Sequence, residues 1–224
     1  MTNQPEIKAI LFDKDGTIFD SEAAYRDAWV TSAQHFNLEM TPQMYDPFVG
    51  IRAAESYKLA RELFGNEFPL EEFAVKTREL IDYHKMRGLP IKKGFDRFFQ
   101  QARQLNIPMG LVTSAVYDAA VLTFCQTDYL AHFDIIVAGD MVKHAKPSPE
   151  CYLMASEKLG VEPQHILVFE DSNAGVEAAT SAGCQTVAIP DYLPVHEALL
   201  AKASYVLESF DQAHSIIANI NKAK

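Results

Sequence analysis

The chain has 224 residues, of which 48% are hydrophobic and 22% charged, proportions that suit a globular protein with a sizeable core and exclude disordered and fibrous classes. A formal net charge of −10 argues against nucleic acid or an anionic membrane surface as partner, since both call for basic patches. The cysteines Cys125, Cys151 and Cys184 are too few and too widely spaced for a disulfide framework or a CxxC metal site, the N-terminus is polar, and no apolar run approaches the roughly 20 residues of a membrane span, so a soluble cytoplasmic chain is expected.

The first apolar run, Ile7–Phe12, reads as a buried strand closed by a turn at Gly16. Roughly 95 residues separate it from the next strand, where a parallel crossover needs only about a dozen. Most of that stretch reads as helix: Glu22–Phe36, Arg52–Phe64, Leu70–Arg87 and Phe95–Leu105. Thr41-Pro42 marks a further helix start. The excess predicts an all-helical insert of about 70 residues, enough for a small domain. It leaves near Phe19–Ser21 and returns near Gly88–Pro90, so that residues 19–88 form the insert and residues 1–18 with 89–224 the core. Beyond it, strands at Met109–Thr113, Ile135–Ala138, Ile166–Phe169 and Thr186–Ile189 alternate with helices at Val116–Gln126, Pro149–Leu159 and Asn173–Ala182. Ser148-Pro149-Glu150 supplies a cap, a first-turn proline and an acid in order, and Gly160 and Gly183 stand where helices stop. Strand and helix in alternation predict an α/β fold, a parallel sheet with helices on both faces.

Ligands of an open parallel sheet bind beyond the carboxyl ends of its strands, and polar residues collect there. After the first strand come Asp13 and Asp15, after the second Thr113 and Ser114, before the following helix Lys146, and after the fourth strand Glu170 and Asp171. An aspartate after a strand is most often a turn former or helix cap. That reading leaves unexplained why four polar sets fall at strand ends in succession. Two carboxylates aimed at one point repel unless a cation or proton lies between them. The set suits phosphoryl transfer: a carboxylate nucleophile, oxygen ligands for Mg²⁺, a hydroxyl for a phosphoryl oxygen and a lysine as counter-charge.

Asp13-Lys14-Asp15-Gly16-Thr17, the run ending in Thr113, Lys146-Pro147 and Glu170-Asp171-Ser172 resemble, in order, the four motifs of the haloacid dehalogenase superfamily. The resemblance spans nearly the whole chain. It implies a Rossmann-like parallel sheet core with an inserted all-helical cap domain, and an aspartyl-phosphate mechanism. It implies Asp13 as nucleophile, Asp15 as general acid and then base, Thr113 as phosphoryl contact and Lys146 as the residue that steadies the nucleophile. It implies Mg²⁺ held by Asp13, the backbone carbonyl of Asp15 and Asp171, with Glu170 acting through a bound water.

The dehalogenases proper lack the second aspartate of the first motif, so Asp15 favours a phosphate substrate. The Phe169-Glu170-Asp171-Ser172 form and the Asp20-Ser21-Glu22 continuation resemble the branch that holds sugar-phosphate phosphatases and β-phosphoglucomutase. Mutases of that branch carry a hinge histidine where Tyr25 stands, and a Lys-Gly followed by an arginine in the cap loop. This chain has Val49-Gly50-Ile51-Arg52-Ala53, without the lysine and with the arginine one place early. Hydrolysis of a small sugar phosphate is therefore expected, with a phosphosugar mutase as the alternative. Ser114, Tyr25, Gly50 and Arg52 are the expected substrate contacts. The expected partner is a small phosphorylated metabolite, and the expected assembly a monomer or weak dimer.

Overall fold

A computed structural model describes residues 5–51, 53–65 and 67–222. In chain order the elements are β1 (Ala9–Phe12), α1 (Glu22–His35), α2 (Ala53–Phe64), α3 (Leu70–Arg87), α4 (Phe95–Arg103), β2 (Met109–Val112), α5 (Tyr117–Thr123), β3 (Ile135–Val137), α6 (Glu150–Leu159), β4 (Ile166–Glu170), α7 (Asn173–Ser181), β5 (Gln185–Ala188), α8 (Glu197–Leu200), β6 (Tyr205–Val206) and α9 (His214–Lys222). A 3₁₀ segment, Pro42–Phe48, lies between α1 and α2. The described strands form one parallel sheet in the order β3-β2-β1-β4-β5-β6. This is the α/β architecture expected. Three elements were not anticipated: the two-residue edge strand β6 and the helices α8 and α9. At the start of α6 it is Pro149, not Ser148, that occupies the cap position, although the Ser148 hydroxyl still accepts from Glu150 N at 3.4 Å.

The strand order reverses at β1, which pairs with β2 on one side and β4 on the other. A crevice therefore opens beyond the ends of β1 and β4. Side chains alternate along a strand, and both faces of this sheet are covered. Ile10, Phe12, Leu167 and Phe169 point to one face and Ala9, Leu11, Ile166 and Val168 to the other. Continuing the alternation puts Asp13 and Glu170 on the same side as Leu11 and Val168, the face covered by α6. The register pairs Phe12 with Phe169, and the Asp13 amide donates to Phe169 O at 3.0 Å.

The opposite face is aromatic. Phe12 stacks on Phe169 with ring centroids 5.3 Å apart and meets Phe95 and Phe98 edge-on. All four rings are fully buried. The helical segment has a core of its own, with Trp29 packed on Phe48 and Phe73, 4.4 and 5.3 Å between ring centroids. Its two connections run side by side: Asp20 N donates to Pro90 O and Lys92 N to Ile18 O, each at 2.9 Å. Among the described residues no helix is long and apolar enough to cross a membrane.

Phe12 is wedged between the sheet and the aromatic layer, so Phe12→Ala leaves a cavity directly under Asp13. The expected loss is about 3–5 kcal/mol of unfolding free energy, measured by urea titration. A loss below about 1 kcal/mol, the scale of a surface substitution, contradicts this packing.

Candidate active site

The loop after β1 turns on Gly16, whose φ of +77° is open to glycine at little cost. A Cβ there lies 2.2 Å from Asp171 Oδ2, so glycine is what lets Asp171 close on the loop. Thr17 Oγ1 then donates to Asp171 Oδ1 at 2.8 Å. From the α6 side Lys146 reaches in. Its Nζ donates to Asp13 Oδ1 and Glu170 Oε1 at 2.6 Å each, and to Val112 O at 3.3 Å.

Glu170 is completely buried. Its Oε1 also accepts from Tyr152 OH at 2.5 Å, and its Oε2 from Asp171 N and Ser172 Oγ at 3.2 and 3.3 Å. Gly175 makes room for it, since a Cβ at that position lies 1.9 Å from Oε2. Tyr152 was missed from the sequence. Its place on the inner face of α6 reads as core, and only its hydroxyl reaches the carboxylate cluster. Its ring also lies 5.2 Å from the Lys146 ammonium.

Asp13, Glu170 and Asp171 each bring one oxygen within 4.8 Å of the others. Three carboxylates against the single ammonium of Lys146 leave a deficit of two positive charges among these described groups. The buried acids feel it. Burial pushes the Asp13 carboxyl up to about 7; Lys146 pulls it down and Glu170 pushes it up again. Burial, and then the charges of Asp13 and Glu170, push Asp171 well above the carboxylate range. An all-oxygen donor set with two charges wanting is what a hard divalent cation fits.

Asp15 is held differently. Burial pushes its carboxyl up, but Lys14, Lys85 and the Tyr25 hydroxyl outweigh that and keep it below its ordinary value. Lys14 Nζ lies 2.6 Å from both Asp15 oxygens, and Tyr25 OH donates to Oδ1 at 2.9 Å. Tyr25 thus reaches the site from α1.

Thr113 directly follows β2 and is nearly buried, with its hydroxyl accepting from Ala115 N at 3.2 Å. Thr113, Ser114 and Lys146 line one small cavity. Gly50 stands over Ser172, its notional Cβ 3.8 Å from Ser172 Cβ. The structure thus brings Asp13, Asp15, Thr113, Ser114, Lys146, Glu170, Asp171, Tyr25 and Gly50 to one end of the sheet. Arg52 lies outside the described residues.

A second polar layer lies at the junction of helical segment and sheet, and of it only Glu22 was noted from the sequence, as part of the Asp20-Ser21-Glu22 continuation and not as a site residue. Glu22 is buried and accepts from Tyr45 OH at 3.2 Å. Burial, then the charge of Asp15, push its carboxyl from 4.5 to about 7. Tyr192, in the loop after β5, donates to Asp46 Oδ1 at 2.8 Å and accepts from Arg26 at 3.2 Å. Beside it Asp191 pairs with Lys92.

The chain belongs to the haloacid dehalogenase-like hydrolases, whose sequence profile matches residues 7–183. A phosphorylated carbohydrates phosphatase of Thermotoga maritima is 31% identical over 181 residues, 81% of this chain and 84% of the relative. Hexitol phosphatase A of Escherichia coli is 29% identical over 206 residues, 92% of each chain. Among solved structures, β-phosphoglucomutase of Clostridium difficile superposes with a TM-score of 0.81 at 25% identity, covering 97% of this chain and 98% of that one.

Two outcomes follow from the charges. Asp171→Asn removes a repelled anion, so the metal-free variant unfolds at the same temperature as the parent or higher. A divalent cation at a hundredfold excess over its Kd stabilises the parent by about 2.7 kcal/mol and leaves the variant unmoved. Equal cation-induced shifts in Tm contradict the cluster.

Glu22 tests the second layer by pH. Its folded pKa is raised, so its favourable contribution is complete below the unfolded value of 4.5 and is lost as pH rises toward about 7. Glu22→Gln escapes that loss. It gains on the order of 1–3 kcal/mol over the parent at pH 8, from a shift worth about 1.4 kcal/mol per unit, and nothing at pH 4. A gain that is the same at both pH values in denaturant titrations contradicts the assignment.

Proposed function

We propose that the chain is a Mg²⁺-dependent phosphatase that hydrolyses a small sugar phosphate through an aspartyl-phosphate on Asp13. The observation that supports this most is the Asp13 carboxylate at the strand-order reversal, steadied by Lys146 and facing Asp171. The names of the phosphatase relatives support a phosphorylated sugar or sugar alcohol as substrate.

Asp13 and Asp171, with the carbonyl of Asp15, are the proposed ligands of Mg²⁺, and Glu170 adds its charge at one remove. The bound cation supplies charge neutralisation for nucleophile and phosphoryl oxygens together. Lys146 holds the attacking oxygen of Asp13 in place and offsets its charge, as a point charge without orientational demand. Thr113 and Ser114 donate to phosphoryl oxygens. Asp15 serves the leaving group in the first transfer and takes the proton of water in the second.

Residues 19–88 are proposed as a cap that closes over the core formed by 1–18 and 89–224, excluding bulk water during transfer. Tyr25, Gly50 and Arg52 are the proposed cap-side contacts of the substrate. The superposition on a β-phosphoglucomutase keeps phosphosugar isomerisation as the competing reading. Tyr25 and Val49, where the mutases carry histidine and lysine, weigh against it.

Product analysis over a panel of hexose and hexitol monophosphates tests the proposal. One inorganic phosphate is expected per substrate consumed, with activity lost to chelator and restored by Mg²⁺. Asp13→Asn is expected to lose roughly a thousandfold or more in turnover. Conversion of a hexose 1-phosphate into the 6-phosphate, with little phosphate released, overturns the phosphatase in favour of the mutase.

A further inference from the structure

Lys14 stands between the two aspartates of the first loop and takes no part in the chemistry above. It is fully buried. Its ammonium donates to both oxygens of Asp15 at 2.6 Å, and to Thr123 Oγ1 at 3.3 Å. Thr123 lies on α5 and donates in turn to Ala119 O at 3.0 Å, which ties the lysine to the core. Tyr25 adds a further donor on Asp15 Oδ1. Asp13 is held instead by Lys146. The two aspartates thus have separate ammonium partners, and only the pairing at Asp13 is accounted for by phosphate chemistry. An ammonium in contact with both oxygens of an aspartate fixes the orientation of its carboxylate plane, and charge-assisted bonds of this kind are the strong ones.

We propose, on the reading of Asp13 as nucleophile and Asp15 as its proton-transfer partner, that Lys14 is a positioning residue that fixes the Asp15 carboxylate where the water that discharges the phosphoenzyme must meet it. An ammonium clasping both oxygens weakens the carboxylate's hold on a proton rather than strengthening it, so what Lys14 supplies to proton transfer is position. In the discharge step the water oxygen bonds to phosphorus. The bond from phosphorus to the Asp13 oxygen breaks, its electron pair returns to the Asp13 carboxylate, and the proton lost by water passes to Asp15. The acceptor must lie within hydrogen-bond reach of that water, and small displacements of a reacting group are costly. Loosening Asp15 therefore slows the second half-reaction. The first is spared when the leaving group departs without a proton.

Stopped-flow kinetics with p-nitrophenyl phosphate separate the two halves. kcat/KM reports steps through formation of the phosphoenzyme, and kcat includes its discharge. Lys14→Met is expected to lower kcat at least roughly tenfold, the scale of a misplaced proton acceptor. It should leave kcat/KM within about threefold and release a burst of nitrophenolate. Phosphoenzyme should accumulate in acid-quenched samples, and Lys14→Arg should regain kcat. A fall of kcat and kcat/KM together without a burst, or an unchanged kcat, overturns the proposal. If Lys14→Met does not fold, Thr123→Val takes its place, because it releases the tether of Lys14 without touching Asp15. A fall in kcat at constant kcat/KM then supports the role, and an unchanged kcat overturns it. Asp15→Asn tells this role apart from the reading beneath it. A burst in Asp15→Asn with none in Lys14→Met overturns the role of Lys14 alone, and no burst in either removes the reading of Asp15 and the role with it.

Discussion

The ammonium of Lys146 stands between Asp13 and Glu170, 2.6 Å from each, in a place where the lysine side chain is 5% exposed and that of Glu170 not at all. Charges that lie out of water are costly unless partnered, and removing one partner of a buried pair is costlier than the pair itself. Asp171 adds a third carboxylate to the same spot. The ammonium cannot balance the set, and the remaining deficit is what suits this end of the sheet to a divalent cation. The same attraction holds Asp13 still, as the proposed role of nucleophile requires.

The rest of the molecule serves that arrangement. β1 and β4 lie side by side where the strand order reverses, and period-two alternation turns Asp13 and Glu170 toward α6, from whose leading loop Lys146 comes. The aromatic layer on the far face, with Phe12 stacked on Phe169, keeps the two strands in register, and the paired carboxylates with them. Glycine at positions 16 and 175 allows the close approaches on which the cluster depends. The helical segment touches the site through Tyr25 and is fastened to the sheet side by Tyr192, which bridges Arg26 and Asp46. Asp15 therefore sits at the seam, answering to both halves of the chain.

Much of this was legible in the sequence because burial leaves a plain mark. A parallel strand covered on both faces is apolar throughout, so Ile166–Phe169 and Met109–Thr113 announced themselves, and the polar residue ending each run marked the site. Leu70–Arg87 was bounded correctly because Pro69 and Gly88 punctuate it. β6 left no such mark: Tyr205 and Val206 are half-buried or exposed on the sheet edge, and two residues make no pattern. Ser148 looked like the cap of α6, yet the helix starts one residue later. Tyr152 was hidden among core residues of the same helix, since a buried hydroxyl with one partner leaves the apolar pattern intact. The pairing of Lys14 with Asp15 was equally hidden, although both stand in the first motif, because the lysine also bonds the hydroxyl of Thr123, 109 positions away.

The central claim is that the lysine-bound carboxylate at the reversal of strand order attacks phosphorus. Peptide mass spectrometry of enzyme mixed with a hexose phosphate and Mg²⁺, then quenched in acid within milliseconds, tests it most directly. The account predicts a phosphoryl mass on the peptide that contains Asp13, absent from Asp13→Asn and from samples with chelator. Phosphate on another residue, or turnover with no covalent adduct in either the parent or the slow-discharging variants, contradicts it.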